Sequence, residues 1–136
     1  MKILALDVGT KTIGVAIGWT INQITQPVLT LQRKSVKKDS LELQNICGQL
    51  EIECIVVGLP LELDGKEGRS ARLARQVGDA LQGLTELPTE YQDERYSTVE
   101  AERRLIEAGK DGRERKKLID QVAAMVILED WLSERK

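Results

Sequence analysis

A chain of 136 residues, 41% hydrophobic and 31% charged, can bury one core without disulfides or a structural metal. Its formal net charge of −2 does not mark a bulk nucleic-acid binder, and no apolar run reaches the ~18 residues of a membrane span. There is no histidine, which removes the commonest general base and the Ser-His and Cys-His nucleophile systems, so carboxylates, lysine or a metal must carry any chemistry.

The opening MKILALDVGTK is too short and too soon polar for a signal peptide, and it reads as a strand. A cytoplasmic location is expected, with Cys47 and Cys54 as small buried hydrophobes rather than a redox pair. Ile3 to Leu6 is apolar and ends at Asp7-Val8-Gly9. Ile13 to Gly18 is a second β-rich run after a short Gly/Thr/Lys turn, so the two predict a hairpin. Pro27 to Leu31 supplies a third strand. Ser40 to Leu50 has apolar residues at helical spacing. Cys54 to Gly58 is a continuous β-branched run, as in parallel strands buried on both faces. Leu59 to Gly68 is a loop, Ala71 to Leu84 a helix and Thr89 to Gln92 a fifth strand. Ser97-Thr98-Val99-Glu100 fits a capping box and opens a helix that Gly109 ends. Asp111-Gly112 reads as a turn, and Arg115 to Glu134 as a last helix, buried from Val122 to Leu128. The order β-β-β-α-β-α-β-α-α predicts one α/β domain over 1–136. Its mixed five-stranded sheet has three antiparallel strands, then two parallel ones, flanked by helices.

Three carboxylate positions resist a purely structural reading. Asp7 ends a central strand, where a turn aspartate is not needed because Gly9 and Thr10 already make the turn. Asp120 shares a helix face with Ala124, Ile127 and Trp131, so it is either paired with Lys116 or Lys117 or holds a metal. Asp93 and Glu94 end the fifth strand. In an α/β sheet, sites form at strand ends, and a histidine-free acidic set suits hard divalent cations such as Mg²⁺ or Mn²⁺. Two such ions can activate water and stabilise a leaving oxygen in phosphodiester cleavage. Basic residues gather between Arg103 and Lys117, including Arg113, Lys116 and Lys117, with a second group at Arg33, Lys34, Lys37 and Lys38. Either is a solvated face or a surface for a nucleic-acid backbone.

The block from Leu6-Asp7-Val8-Gly9-Thr10-Lys11-Thr12 to Ala16 resembles the opening motif of the YqgF/RuvX family, RNase H-like proteins related to the RuvC Holliday-junction resolvase. Val56-Val57-Gly58-Leu59-Pro60 with Asp64, Gly65 and Gly68 resembles the family's central loop. Asp93-Glu94-Arg95 with Ser97-Thr98 and Ala101 resembles its DER block, and Lys117 to Ala124 with Ile127 and Leu128 its final helix. Thr12 stands where the family often has arginine, and Glu62-Leu63 where an asparagine with a small or apolar neighbour is common. The resemblance implies an RNase H-like domain whose Asp7, Glu94 and Asp120 hold Mg²⁺ or Mn²⁺. Glu94 is preferred to Asp93 because it is the second letter of DER. Lys11, Arg95, Arg113, Lys116 and Lys117 are then candidate substrate contacts. The implied activity is a metal-dependent nuclease maturing the 5′ end of pre-16S rRNA, with ribosomal precursor particles as partners. A resolvase of branched DNA, expected as a homodimer, is the alternative, and for the RNA enzyme both a monomer and a homodimer stay open. A nucleotide-binding or phosphotransfer module and a non-catalytic assembly factor rank below these.

Overall fold

A computed structural model describes residues 1–94 and 96–135. Strands β1 (Lys2–Val8), β2 (Thr12–Trp19) and β3 (Thr25–Gln32) are followed by helix α1 (Val36–Gln49) and strand β4 (Cys54–Leu59). Then come α2 (Arg69–Thr85), β5 (Thr89–Asp93), α3 (Ser97–Glu107) and α4 (Gly112–Ser133). The sheet has five strands in the order β3-β2-β1-β4-β5. β1 pairs antiparallel with β2 and parallel with β4, and β5 extends the parallel half. The expected α/β architecture is therefore present.

Strand periodicity of two sorts the side chains onto two faces. Leu4, Leu6, Val8, Ile13, Val15 and Ile17 pack with residues of α1 and α2 such as Leu43, Ala74 and Leu81. Ile3, Ala5, Cys54 and Val56 pack on the opposite face against Ile127, Leu128, Trp131 and Leu132 of α4. Both cysteines are free and buried, as the sequence predicts.

Alternation also places β2 residues 12, 14, 16 and 18 on the α4 face, and there the glycines matter. A Cβ on Gly14 would lie 1.9 Å from the Asp120 carbonyl oxygen. One on Gly18 would lie 2.7 Å from Leu128 Cδ2, and one on Gly58 2.4 Å from Ile127 Cδ1. Backbone without side chains lets α4 lie directly on the sheet, and the closest approach is at Asp120.

Helix starts and caps depart from the sequence reading, and α2 begins at Arg69, two residues before Ala71. α1 begins at Val36, four residues before the apolar pattern, because the Ser35 side chain accepts a hydrogen bond from Lys38 N at 3.1 Å. Asp39 of its first turn is buried and bonded to Arg33. α4 begins at Gly112, with Asp111 and Glu114 forming a reciprocal capping box where a turn was expected. At α3 the predicted Ser97/Glu100 box does not form. Ser97 is the first helical residue, Tyr96 is the N-cap, and no cap side chain is bonded. The Glu94 carboxylate takes that place.

Candidate active site

Asp7 stands at the carboxyl end of β1, opposite Gly14 of β2. Ile3 and Ala5 face α4, so alternation turns Asp7 toward α4 as well. Its cross-strand neighbour Gly14 is the residue against which Asp120 is pressed. Thr12 lies two residues from Gly14 on the same face, and its hydroxyl donates to Asp120 Oδ2 at 2.6 Å. Asp120 is thus held by a hydroxyl from β2 rather than by Lys116 or Lys117, the cations its helix offered. The signal for Thr12 was present in β2 parity, but the contact depends on how closely α4 approaches.

Glu94 reaches the same face from the far side. Glu90 and Gln92 of β5 bond to Arg135 and Glu134 beside α4, and Glu94 continues that alternation. It is 6% exposed. Its Oε1 accepts from Tyr96 N at 2.9 Å and also from Ser97 N, and its own N–H donates to Leu59 O at 3.0 Å. The carboxylate therefore closes the first turn of α3 and is fixed in orientation. Extending the β1–β4 register by one residue puts Asp7 beside Gly58, which pairs with Gln92. Asp7 and β5 are then two strand spacings, ~10 Å, apart across a glycine.

Asp7 is the acid whose electrostatics register the other two. Among the described residues nothing donates a hydrogen bond to the partly buried Asp7 carboxylate. Its pKa is pushed up to about 7, first by burial, then by the charge of Asp120, then by that of Glu94. Burial also raises Glu94, against hydrogen bonds from Ser97 that lower it; the neighbouring charge that counts there is Asp130. Asp93, Glu94, Tyr96, Glu100, Val126 and Asp130 line a cavity of about 330 Å³. Asp130, which sequence reasoning passed over, is itself raised by burial and by Glu129 and Glu134. Among the described residues, no three acidic or other ligating side chains already converge on a single cation position.

A pH dependence follows from Asp7. Its carboxyl holds a proton up to about 7 in the folded chain against 3.8 as a free aspartate, so the folded state binds the proton more tightly. The associated stability is fully present below the unfolded value and is lost as pH rises through about 7. Metal-free protein should lose more melting temperature between about pH 5 and 8 than the Asp7→Asn variant does. Thermal unfolding in EDTA measures this, and parallel curves would contradict it.

The basic stretch expected to meet substrate is mostly occupied. Arg103 bonds Glu100 and Glu107, Arg104 bonds Glu100 and Glu129, Lys110 lies near Glu114, and Arg115 near Glu102. Arg113, Lys116 and Lys117 are exposed at the start of α4, and Lys11 is exposed in the β1–β2 turn. Arg95 lies outside the described residues. No described helix is long and apolar enough to cross a membrane.

A hairpin-built sheet extended by two parallel strands, with α4 across the strand end that carries Asp7, defines an RNase H-like domain. Solved structures agree at the level of fold. Thermus thermophilus RuvC in complex with a Holliday junction superposes with a TM-score of 0.60 at 14% identity, covering 99% of this chain and 95% of that one. The fowlpox virus Holliday junction resolvase gives 0.64 at 9% identity, covering all of both chains. A Streptococcus pneumoniae ROK family protein gives 0.53 over 80% of this chain and only 39% of its own.

The family profile described as "RuvX: Holliday junction resolvase" matches residues 1–134, and the chain belongs to that family. A Myxococcus xanthus protein named "Putative pre-16S rRNA nuclease" is 42% identical over 132 residues, 97% of this chain and 87% of its own. A Caldanaerobacter subterraneus protein of the same name is 39% identical over 137 residues, covering 100% of this chain and 99% of its own.

Proposed function

We propose that this domain is a divalent-metal-dependent nuclease that hydrolyses phosphodiester bonds in the 5′ region of pre-16S rRNA. The observation that carries the reading is Asp7: among the described residues nothing donates to its carboxylate, and its pKa is pushed up to about 7 by burial first and then by the charges of Asp120 and Glu94. Such a group is relieved by a cation. The donor chemistry fits Mg²⁺ or Mn²⁺, since every available ligand is a carboxylate oxygen and no histidine competes. Asp7 and Asp120 would hold the ion across Gly14, with Glu94 reaching in from the end of β5. Once bound, the metal supplies an activated water and charge stabilisation at the leaving oxygen. Thr12 keeps one Asp120 oxygen turned toward β2, and the α3 N-terminus fixes Glu94.

RNA is favoured over branched DNA by the names of the relatives at about 40% identity, whereas the solved resolvases are alike in fold only and the word resolvase otherwise enters through the family's description. The direct test offers the protein a pre-16S precursor with its 5′ extension and, in parallel, a four-way DNA junction, with Mg²⁺ or Mn²⁺. Cleavage confined to the RNA is expected. Cleavage confined to the junction, by a dimer in solution, would replace this reading with resolution of branched DNA.

Thr12 offers a separate prediction. Thr12→Val removes the hydroxyl at nearly constant volume and should weaken Mn²⁺ binding by roughly 10- to 100-fold, while Thr12→Ser keeps it near wild type. Calorimetry reads the affinities directly; equal affinity in Thr12→Val would remove Thr12 from the site.

A further inference from the structure

The described arginines fall into two groups. Arg33, Arg75, Arg103, Arg104, Arg115 and Arg135 each have a carboxylate within 4.0 Å. Arg69, Arg72 and Arg113 have no such partner among the described residues. Arg69 and Arg72 lie one turn apart at the start of α2, and both are exposed. They do not simply face bulk solvent. With Thr10, Arg33, Leu73 and Gln76 they line a cavity of about 390 Å³.

The wall opposite α2 is rigid. Arg33 Nε bonds Asp39 Oδ2 at 3.0 Å, and Arg33 Nη1 donates to Gly9 O at 3.2 Å. Asp39 is fully buried and also accepts from Lys34 N at 3.0 Å. Its charge offsets that of Arg33, so Arg33 acts as a strut that fixes the β1–β2 turn. The cationic character of the cavity comes from Arg69 and Arg72. Thr10 and Gln76 add a hydroxyl and an amide. The fork geometry of two unpaired guanidiniums matches phosphate oxygens and suits no apolar or cationic ligand.

Position supplies the rest. Thr10 follows Asp7 by three residues, so the cavity begins within ~11 Å of the acidic site along the chain. It lies on the α2 side of the sheet, around the turn from α4. A polynucleotide held at Asp7 can pass over the β1–β2 turn and lay a neighbouring phosphate between the two arginines.

We propose that Arg69 and Arg72, walled by Thr10, Arg33 and Gln76, form a subsite for a non-scissile phosphate of the nucleic-acid strand that Asp7 meets. This rests on the nuclease reading and adds to it the path of the strand, across α2 rather than along the paired arginines of α3.

The test is anisotropy of a fluorescein-labelled RNA duplex with a single-stranded 5′ extension, in EDTA, between about 50 and 200 mM NaCl. The variants are Arg69→Gln/Arg72→Gln and the charge-keeping Arg69→Lys/Arg72→Lys. The glutamine pair should weaken binding roughly tenfold at the lower salt and flatten the plot of log affinity against log salt by about 1.5 to 2. The lysine pair should restore most of the slope. Far-ultraviolet circular dichroism and melting should be unchanged, because both side chains are exposed. Wild-type affinity and slope in the glutamine pair would overturn the subsite. So would an equal loss in the lysine pair, or inorganic phosphate binding to wild type as tightly as the RNA does. Cleavage by Asp7→Asn is measured alongside. If it is lost while the glutamine pair binds normally, the subsite alone fails. If Asp7→Asn cleaves like wild type, the nuclease reading fails and takes the subsite with it.

Discussion

Asp7→Asn is expected to lower cleavage of a pre-16S precursor by roughly a thousandfold, about 4 kcal/mol of transition-state stabilisation. The substitution is nearly isosteric, so the loss reports charge and ligation rather than shape. It also has an unusual companion effect. An amide at position 7 removes a charge that burial, Asp120 and Glu94 all oppose in the folded chain. The variant should therefore melt no lower than wild type at about pH 8 without metal, and higher if the repulsion is fully expressed. Added Mg²⁺ should raise the melting temperature of wild type and leave that of the variant unmoved, because only a site that binds in the folded state shifts the equilibrium. Inactivity with lowered stability at every pH would instead mark Asp7 as a structural residue.

Gly14→Ala should be strongly destabilising. The added carbon would sit 1.9 Å from the Asp120 carbonyl oxygen, and neither backbone can give way without moving α4 or bending β2. Forced overpacking of this kind costs about 3 kcal/mol, or about 12 °C in melting temperature for a domain of this size. The same displacement pulls Asp120 from the Thr12 hydroxyl, so metal affinity should fall further than the loss of stability explains. Gly48→Ala is the control, since a Cβ there meets nothing within 4 Å and the residue lies within α1. Chemical denaturation of the two variants compares the costs. Equal stability would mean that α4 does not press on β2 at Gly14.

The sheet was legible in the sequence because its strands carry their own patterns. The continuous run from Cys54 to Gly58 marks a strand buried on both faces, and every residue of β4 is buried. Helix starts were less legible, since they depend on capping side chains rather than apolar spacing. Ser35 starts α1 among polar residues, and Asp111 starts α4 where its neighbour Gly112 suggested a turn. At α3 the letters of a capping box were present, but Glu94 already binds the free N–H groups, so a site acid serves the helix as well. Asp7 and Asp120 could be singled out because one ends an apolar strand and the other lies on an apolar helix face, whereas Glu94 is separated from Asp93 only by the resemblance to the DER block. Thr12 and the arginines of α2 could not, since the first needs the close approach of α4 and the second depends on which arginines find carboxylates. The Arg103–Lys117 stretch shows the same limit from the other side. It is rich in positive charge by letter, but the acids of α3 and α4 meet most of it in the fold.

Anomalous diffraction from crystals grown with Mn²⁺ tests the proposed site most directly. The expected result is a peak at ~2.2 Å from carboxylate oxygens of both Asp7 and Asp120, with Glu94 directed at the same ion, and no peak there in Asp7→Asn. A peak confined to the Glu94, Glu100 and Asp130 cavity, with Asp7 free of metal in a protein that cuts RNA, would contradict it.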